Sequence, residues 1–297
     1  MAGRIRLSAV VLVLLLALSA CGSSKKTTSA TTGGRSLFSK LPSGIQSSKE
    51  IKVGSDIEYA PIEFYKEGSQ ELQGLDSVLA QAMGQKLGVK FTFVNDTDFA
   101  GIISALQAGR FDIIMSAMND TAERRGKGVD FIDYFTAGTS ILGQKGNPKN
   151  INGLDDLCGK TVAVQKGTIQ ETDILNPQQS KCTAAGKPKI DVLAFEKDTD
   201  ALQQVKIGRA VADLEDFPVA AYNEQISGGG KDFQVVGTPG FEVGHYGIAV
   251  PSGKTQLREA LRDALRAVIA DGSYDQVLSK WNVSAGALKT AAINGGS

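Results

Sequence analysis

Two stretches decide how this chain folds: Leu106–Met115, LQAGRFDIIM, and Val205–Leu214, VKIGRAVADL. Each closes an apolar-periodic helix, passes through a Gly-Arg pair and enters an apolar strand. Upstream of the first, IKVGSD (51–56) reads as a strand ending at a turn. LDSVLAQAMGQKLG (75–88) sets Leu75, Val78, Leu79, Ala82, Met83 and Leu87 on one helical stripe, and VKFTFV (89–94) alternates as a strand. FAGIISALQAG (99–109) is a second amphipathic helix, with Ile102, Ile103 and Leu106 apolar and Gly109 as its stop. Strands alternating with helices imply a parallel sheet covered by helices.

The pattern then restarts. TVAVQ (161–165), KIDVLAF (189–195) and AVADLED (210–216) read as strands, with helices opening at GTIQETDIL (167–175) and TDALQQVKIG (199–208). The echo between the two opening stretches supports two lobes of similar build. The last third returns to a strand, YGIAV (246–250), then a long amphipathic helix, a DGSY break and a shorter helix carrying Trp281. Segments able to cross between lobes lie near FTAGTSILGQKG (135–146) and VGHYGIAV (243–250), which makes the first lobe discontinuous. The expected division is lobe 1 from 50–140 and 244–288, lobe 2 with the hinge segments from 141–243, and a loose tail over 289–297. A ligand would sit between the lobes, at the C-terminal ends of the parallel strands.

Lysine plus arginine and aspartate plus glutamate both number 32 in 297 residues, which argues against a basic nucleic-acid binder. Arg4 and Arg6 precede a short apolar run that ends at Cys21, the pattern of an export signal over residues 1–20. LSAC (18–21) is similar to a bacterial lipobox, so Cys21 is expected to carry lipid. That places the protein on the outer face of the cell membrane. Residues 21–49 are expected to be a flexible tether. In an exported chain the remaining Cys158 and Cys182 are expected to pair. Closing that loop would stabilise by about 3–4 kcal/mol on the chain-entropy reading. Neither cysteine has a histidine neighbour, so no metal is expected, nor any cofactor. The single histidine, His245, reads as packing in a crossover segment.

Asp120-Thr-Ala-Glu123 and Thr168-Ile-Gln-Glu171 both fit a capping box, each after a strand. Two helix N-termini facing across a cleft could bind a carboxylate, although either box alone also serves ordinary capping. Arg124 opposes its own helix dipole, which suggests a bidentate carboxylate contact, while Arg125 reads as solvated. Tyr59, Phe64 and Phe99 offer aromatic walls, and Asp56 and Asp216 lie at strand ends.

Taken together these residues resemble family 3 extracellular solute-binding proteins, the receptor subunits of polar amino-acid ABC importers. The resemblance covers residues 50–283 and rests on SDIEYAPIEF, LQGLDSVLAQAMGQKLG, FAGIISALQAGRFDIIMSAMNDTAERR, GKTVAVQKGTIQE, GRAVADLEDFPVAAY, YGIAV and DGSYDQVLSKW, in that order. It implies an α/β fold of two Rossmann-like lobes joined by a two-segment hinge, the type II periplasmic-binding-protein fold, closing on ligand. It also implies that Arg124 grips an α-carboxylate, aided by the backbone at Asn119 and Thr168. Asp216 would take the α-ammonium with the Ala117 carbonyl, Tyr59 and Phe99 would line the side chain, and Asp56 would contact its polar end. The implied partners are a small amino acid, membrane permease subunits and the lipid anchor, with no nucleic acid and the protein a monomer.

Three positions depart from the family pattern: Ile62 replaces an aromatic, Ser116-Ala117-Met118-Asn119 replaces a serine-rich turn, and Ile169 replaces a hydroxyl residue. Acids Asp56 and Glu63 favour a cationic or polar amino acid. The rival readings are a cyclohexadienyl-dehydratase-like enzyme on the same scaffold, with Glu63 or Glu215 as general acid, and a sensor domain. The zwitterion clamp of Arg124 and Asp216 favours a receptor that is not an enzyme.

Overall fold

A computed structural model describes residues 37–297. The expected export signal, Cys21 and the expected tether as far as residue 36 lie outside the described residues. Among these, no helix is long and apolar enough to cross a membrane.

After residues 37–42 come α1 (Ser43–Ser48), β1 (Glu50–Ser55) and a small antiparallel sheet of β2 (Glu58–Tyr59), β3 (Glu63–Tyr65) and β4 (Leu72–Gln73). Helix α2 (Leu75–Leu87), β5 (Lys90–Asn95), α3 (Ile102–Gln107), β6 (Ile113–Ile114) and α4 (Ala122–Gly126) complete the first run. The long β7 (Val129–Gln144) leads into β8 (Thr161–Gln165), α5 (Asn176–Ala184), β9 (Asp191–Phe195), α6 (Asp198–Lys206), β10 (Ala212–Asp216) and α7 (Phe217–Ile226). The return is β11 (Phe233–Pro251), followed by α8 (Thr255–Ala270) and α9 (Ser273–Lys280).

Eight strands form one sheet in the order β5-β1-β6-β11-β7-β10-β8-β9. Within each lobe the short strands are parallel, β5-β1-β6 in one and β10-β8-β9 in the other. The antiparallel pair β7 and β11 runs through both. Their lobe 1 ends pair from Val129↔Pro251 to Ala137↔Gly244, and their lobe 2 ends from Thr139↔Phe241 to Gln144↔Phe233. Between these stretches the register shifts, and a Cβ on Gly138 would lie 2.2 Å from the Gly240 carbonyl oxygen. Only glycine lets the two backbones approach so closely. Gly138→Ala is therefore expected to push the hinge strands apart and cost about 1–3 kcal/mol in urea denaturation.

Apolar spacing explains the layers. Leu257, Leu261, Leu265 and Val268 recur at helical intervals on α8 and are all buried, packing with α2 and α9 on one face of the lobe 1 sheet. Ile102, Ile103 and Leu106 of α3 cover the other face. In lobe 2, Cys182 on α5 joins one core, and Ala201, Leu202 and Val205 on α6 join another. Cys158 and Cys182 form a disulfide across 24 positions of sequence. The stop at Gly109 is a left-handed residue, φ 77°.

Two expectations are corrected. The tether does not extend to residue 49: Leu41 is fully buried, Ile45 joins the lobe 1 core, and Leu37 and Phe38 pack against it. These side chains can bury their apolar surface only by folding onto the lobe. Nor is 289–297 loose. Ile293 pairs with Ile132, Asn294 exchanges backbone and side-chain bonds with Phe131, and Ala291 is buried. Its small, polar composition suggested disorder, but backbone and amide hydrogen bonds, rather than bulk, hold it.

Candidate functional site

The first turns after β1, β6, β8 and β10 converge between the lobes, as parallel-strand C-termini do in open α/β sheets. They enclose a cavity of about 320 Å³, counting space open to solvent. Asp56, Tyr59, Phe99, Ala117, Asn119, Arg124, Thr168 and Asp216 all line it. Four further residues complete the wall: Glu63, Ser116, Gln165 and Gln170.

Arg124 is brought there by a cap one residue later than expected. Thr121, not Asp120, is the N-cap of α4, and its Oγ1 accepts the Arg124 N–H at 3.3 Å. Glu123 pairs with Lys127 instead of closing a box. Asp120 and Thr121 are both good caps, and Asp120 is committed elsewhere: its Oδ1 lies 2.5 Å from Arg125 Nη1. The Arg125 guanidinium is thus ion-paired with a buried acid, not solvated. Thr121→Ala is expected to lower stability by about 1 kcal/mol in urea denaturation, the usual cost of a lost hydroxyl cap.

The Arg124 guanidinium is buried and uses two of its five N–H donors. Nη1 donates to the Asn119 carbonyl at 2.9 Å, Nη2 to the Gly167 carbonyl across the cleft at 3.0 Å, and Cζ stands 5.4 Å from the Phe99 ring centroid. Burial lowers its pKa to about 10, partly offset by Asp173, Asp216 and Glu123, so it stays charged at neutral pH. The second box is closer to expectation. Thr168 Oγ1 accepts the Glu171 N–H at 3.4 Å, while the Glu171 carboxylate takes the Gly167 N–H at 2.6 Å. The turn beyond is π-helical, Gln170–Leu175, before α5.

Asp216 caps the end of β10 and is linked to lobe 1. Tyr59 donates its hydroxyl to Oδ2 at 3.1 Å and accepts the Asp216 N–H at 2.9 Å, while Gln170 Nε2 donates to Oδ1 at 3.0 Å. Asp56 accepts Gln165 Nε2 from the other lobe at 2.6 Å, and its Oδ1 is buried without a partner. Glu63 accepts the Ser116 hydroxyl at 2.9 Å and is hydrogen-bonded to the Asp76 carboxyl group behind it. Burial is the main cause that raises all three acids: Asp56 to about 7, also repelled by Glu58; Asp216 to about 6; and Glu63 well above its ordinary value, beside Asp76.

Ala117 holds a left-handed backbone, φ 44°, fixed where Asp76 Oδ2 accepts its N–H at 3.3 Å and the Tyr134 hydroxyl at 3.0 Å. Strain of this kind in a non-glycine residue persists only where surroundings over-determine it.

Three acids and one guanidinium therefore face one another in a small space. Arg124 is held at the Asn119 and Gly167 carbonyls beside Phe99, whereas Asp56 is held at Gln165 Nε2, so the guanidinium and Asp56 answer to different parts of the wall. The cavity is thus suited to a solute with an anionic group at one end and cationic groups elsewhere. Of the two acids considered for an enzyme, Glu63 lines the cavity, whereas Glu215 sits outside that lining and accepts Asn223 Nδ2. Gln165 and Gln170 were missed because a strand-end or helix-start glutamine carries no signal until its partner, distant in sequence, is known.

Residues 51–284 match the bacterial extracellular solute-binding proteins, family 3, and the chain belongs to that family. Among characterised relatives, the arginine-binding protein ArgT of Corynebacterium glutamicum is 32% identical over 254 residues, covering 86% of this chain and 81% of that protein. Among solved structures, the P235GK mutant of ArgBP from T. maritima superposes with a TM-score of 0.71 at 31% identity, covering 83% of this chain and 99% of that one. The ancestral amino acid-binding protein AncCDT-1, a precursor of cyclohexadienyl dehydratase, gives 0.67 at 36% identity, with 80% and 97% covered. The shared architecture is the two-lobed, hinged α/β fold expected from the sequence.

Proposed function

We propose that this protein captures a cationic amino acid between its lobes and delivers it to the permease of an ABC importer, held at the outer face of the cell membrane by lipid on Cys21. The observation that carries this reading is the make-up of the cavity: one buried guanidinium held at the Asn119 and Gly167 carbonyls, and Asp56, held by Gln165, with one buried carboxylate oxygen without a partner. Arg124 would take the solute α-carboxylate, Asp216 its ammonium, and Asp56 the cationic end of its side chain. Asn119 and Thr168 backbone and the Ala117 carbonyl would complete the clamp, with Tyr59 and Phe99 against the aliphatic stem. An uncompensated buried carboxylate is costly, and a guanidinium or ammonium group supplies what it lacks. The names of the arginine-binding relatives point the same way.

The reading is of a receptor and not an enzyme. A dehydratase would need a general acid on its substrate; Glu215 lies outside the lining, which leaves Glu63 alone for that role, and the binding-protein names of the relatives favour capture. Calorimetric titration of the purified chain with arginine, lysine, histidine, glutamine and glutamate tests the proposal. Saturable binding of arginine or lysine, at least tenfold tighter than of glutamate, is expected, roughly 1.4 kcal/mol of preference. Binding of none of them, or a preference for glutamate, would overturn it.

A further inference from the structure

We propose that residues 287–297 are a strap that positions the Arg124 helix, so that the far end of the chain is part of the binding machinery. The inference rests on the reading of the cleft as an amino-acid site. Helix α4 is only five residues long and cannot hold an arginine steady by its own hydrogen bonds. Its first amide, Ala122 N–H, would be orphaned at a helix start, yet it donates to Ser297 O at 2.8 Å. The same oxygen accepts Arg125 Nη2 at 3.1 Å. Gly296 N–H donates to Asp120 Oδ2 at 2.8 Å, and Arg125 holds the other oxygen of that carboxylate. Asp120 directly follows Asn119, whose carbonyl holds the Arg124 guanidinium. The strap is thus one residue removed from the site.

Its path runs back along the hinge. Ala287 pairs with Phe135 and Ile293 with Ile132 of β7, and Gly295 N–H donates to buried Asp133 at 2.9 Å. Glycine stands at each tight approach. A Cβ would lie 2.3 Å from the Phe135 ring at Gly286, 2.7 Å from Asp133 Oδ2 at Gly295 and 2.1 Å from the Asp120 carbonyl oxygen at Gly296. A tail that merely lay on the surface would not require two such positions, with a third, Gly286, at its entry. The strap therefore joins the hinge strand β7 to the first turn of the helix that bears Arg124.

Two variants test this, each compared with the full chain: one ending at Leu288, and Gly296→Leu, which keeps the rest of the strap but cannot seat beside Asp120. Arginine affinity by calorimetry and amide hydrogen exchange at residues 119–126 are the readouts. Both variants are expected to bind about tenfold more weakly or worse, as a site left unsupported does, with faster exchange confined to 119–126. A peptide of residues 289–297 added to the shortened chain is expected to restore both, which a general loss of stability would not allow. Affinity within about twofold of the full chain in Gly296→Leu, or unchanged exchange at 119–126, would overturn the strap. Should the full chain bind no amino acid, the proposed function fails, and the exchange data alone decide the strap.

Discussion

In the Arg124→Ala protein, calorimetric titration with arginine or lysine is expected to show no saturable heat, a loss of at least about 10³-fold. Truncating one partner of a buried, hydrogen-bonded charge contact costs 2–5 kcal/mol or more, because the other charge is left without a counterpart. In the proposed complex the counterpart is the solute carboxylate, and the cavity lining holds no second cation that could take over. Arg124→Lys would restore the charge but not the fork that spans Asn119 and Gly167, so only a partial recovery is expected. Retained micromolar binding by Arg124→Ala would remove the central assignment. The sequence suggested that Arg125→Ala would be nearly silent. Its pairing with Asp120 makes that expectation untenable, and a measurable weakening is now predicted through the helix it braces.

Acidification is expected to weaken capture of a cationic solute by on the order of 10²-fold between pH 7.5 and 5.5. In the unliganded protein Asp56 titrates near about 7 and Asp216 near about 6. A bound cation favours the charged carboxylates and lowers both values, so the complex carries fewer protons than the free protein. Binding then releases protons, and affinity rises with pH until both acids are ionised. The stability of the unliganded protein runs the other way. Folded-state values raised above the unfolded ones contribute stability that is present below about pH 4 and lost as pH rises through 6 to 7. Thermal unfolding without solute should therefore move upward on going from pH 8 to 5, while the shift produced by arginine shrinks. Arginine affinity that is flat across this range would exclude ionised Asp56 and Asp216 as its anchors.

Much of the fold was legible because burial imposes periods on a sequence. The stripe from Leu75 to Leu87, the Ile102–Leu106 helix and the Leu257–Val268 repeat each announce a helix with one face inward. The cavity lining was legible in part, because Asp216 and Arg124 sit where strands end and helices begin. What stayed hidden is what depends on partners distant in sequence. Nothing local tells that Tyr59 meets Asp216, that Gln165 meets Asp56, or that Asp120 is claimed by Arg125 and Gly296. The cap was misplaced by one residue because two adjacent residues could each serve. The last residues looked unstructured because two glycines and an asparagine carry no apolar signal, although the Gly295 and Gly296 amides are what the buried acids Asp133 and Asp120 use.

The bonds that already cross the cleft amount to an entrance requirement. Arg124 rests on the Gly167 carbonyl, Asp216 on Tyr59, and Asp56 on Gln165, so each proposed anchor has a partner across the cleft before any solute arrives. A newcomer must replace these contacts with ones at least as strong. A molecule lacking a carboxylate or an ammonium group would strand a buried charge and leave again. Rejection of the wrong solute is then enforced by the protein's competing grip on itself as much as by the fit of the right one.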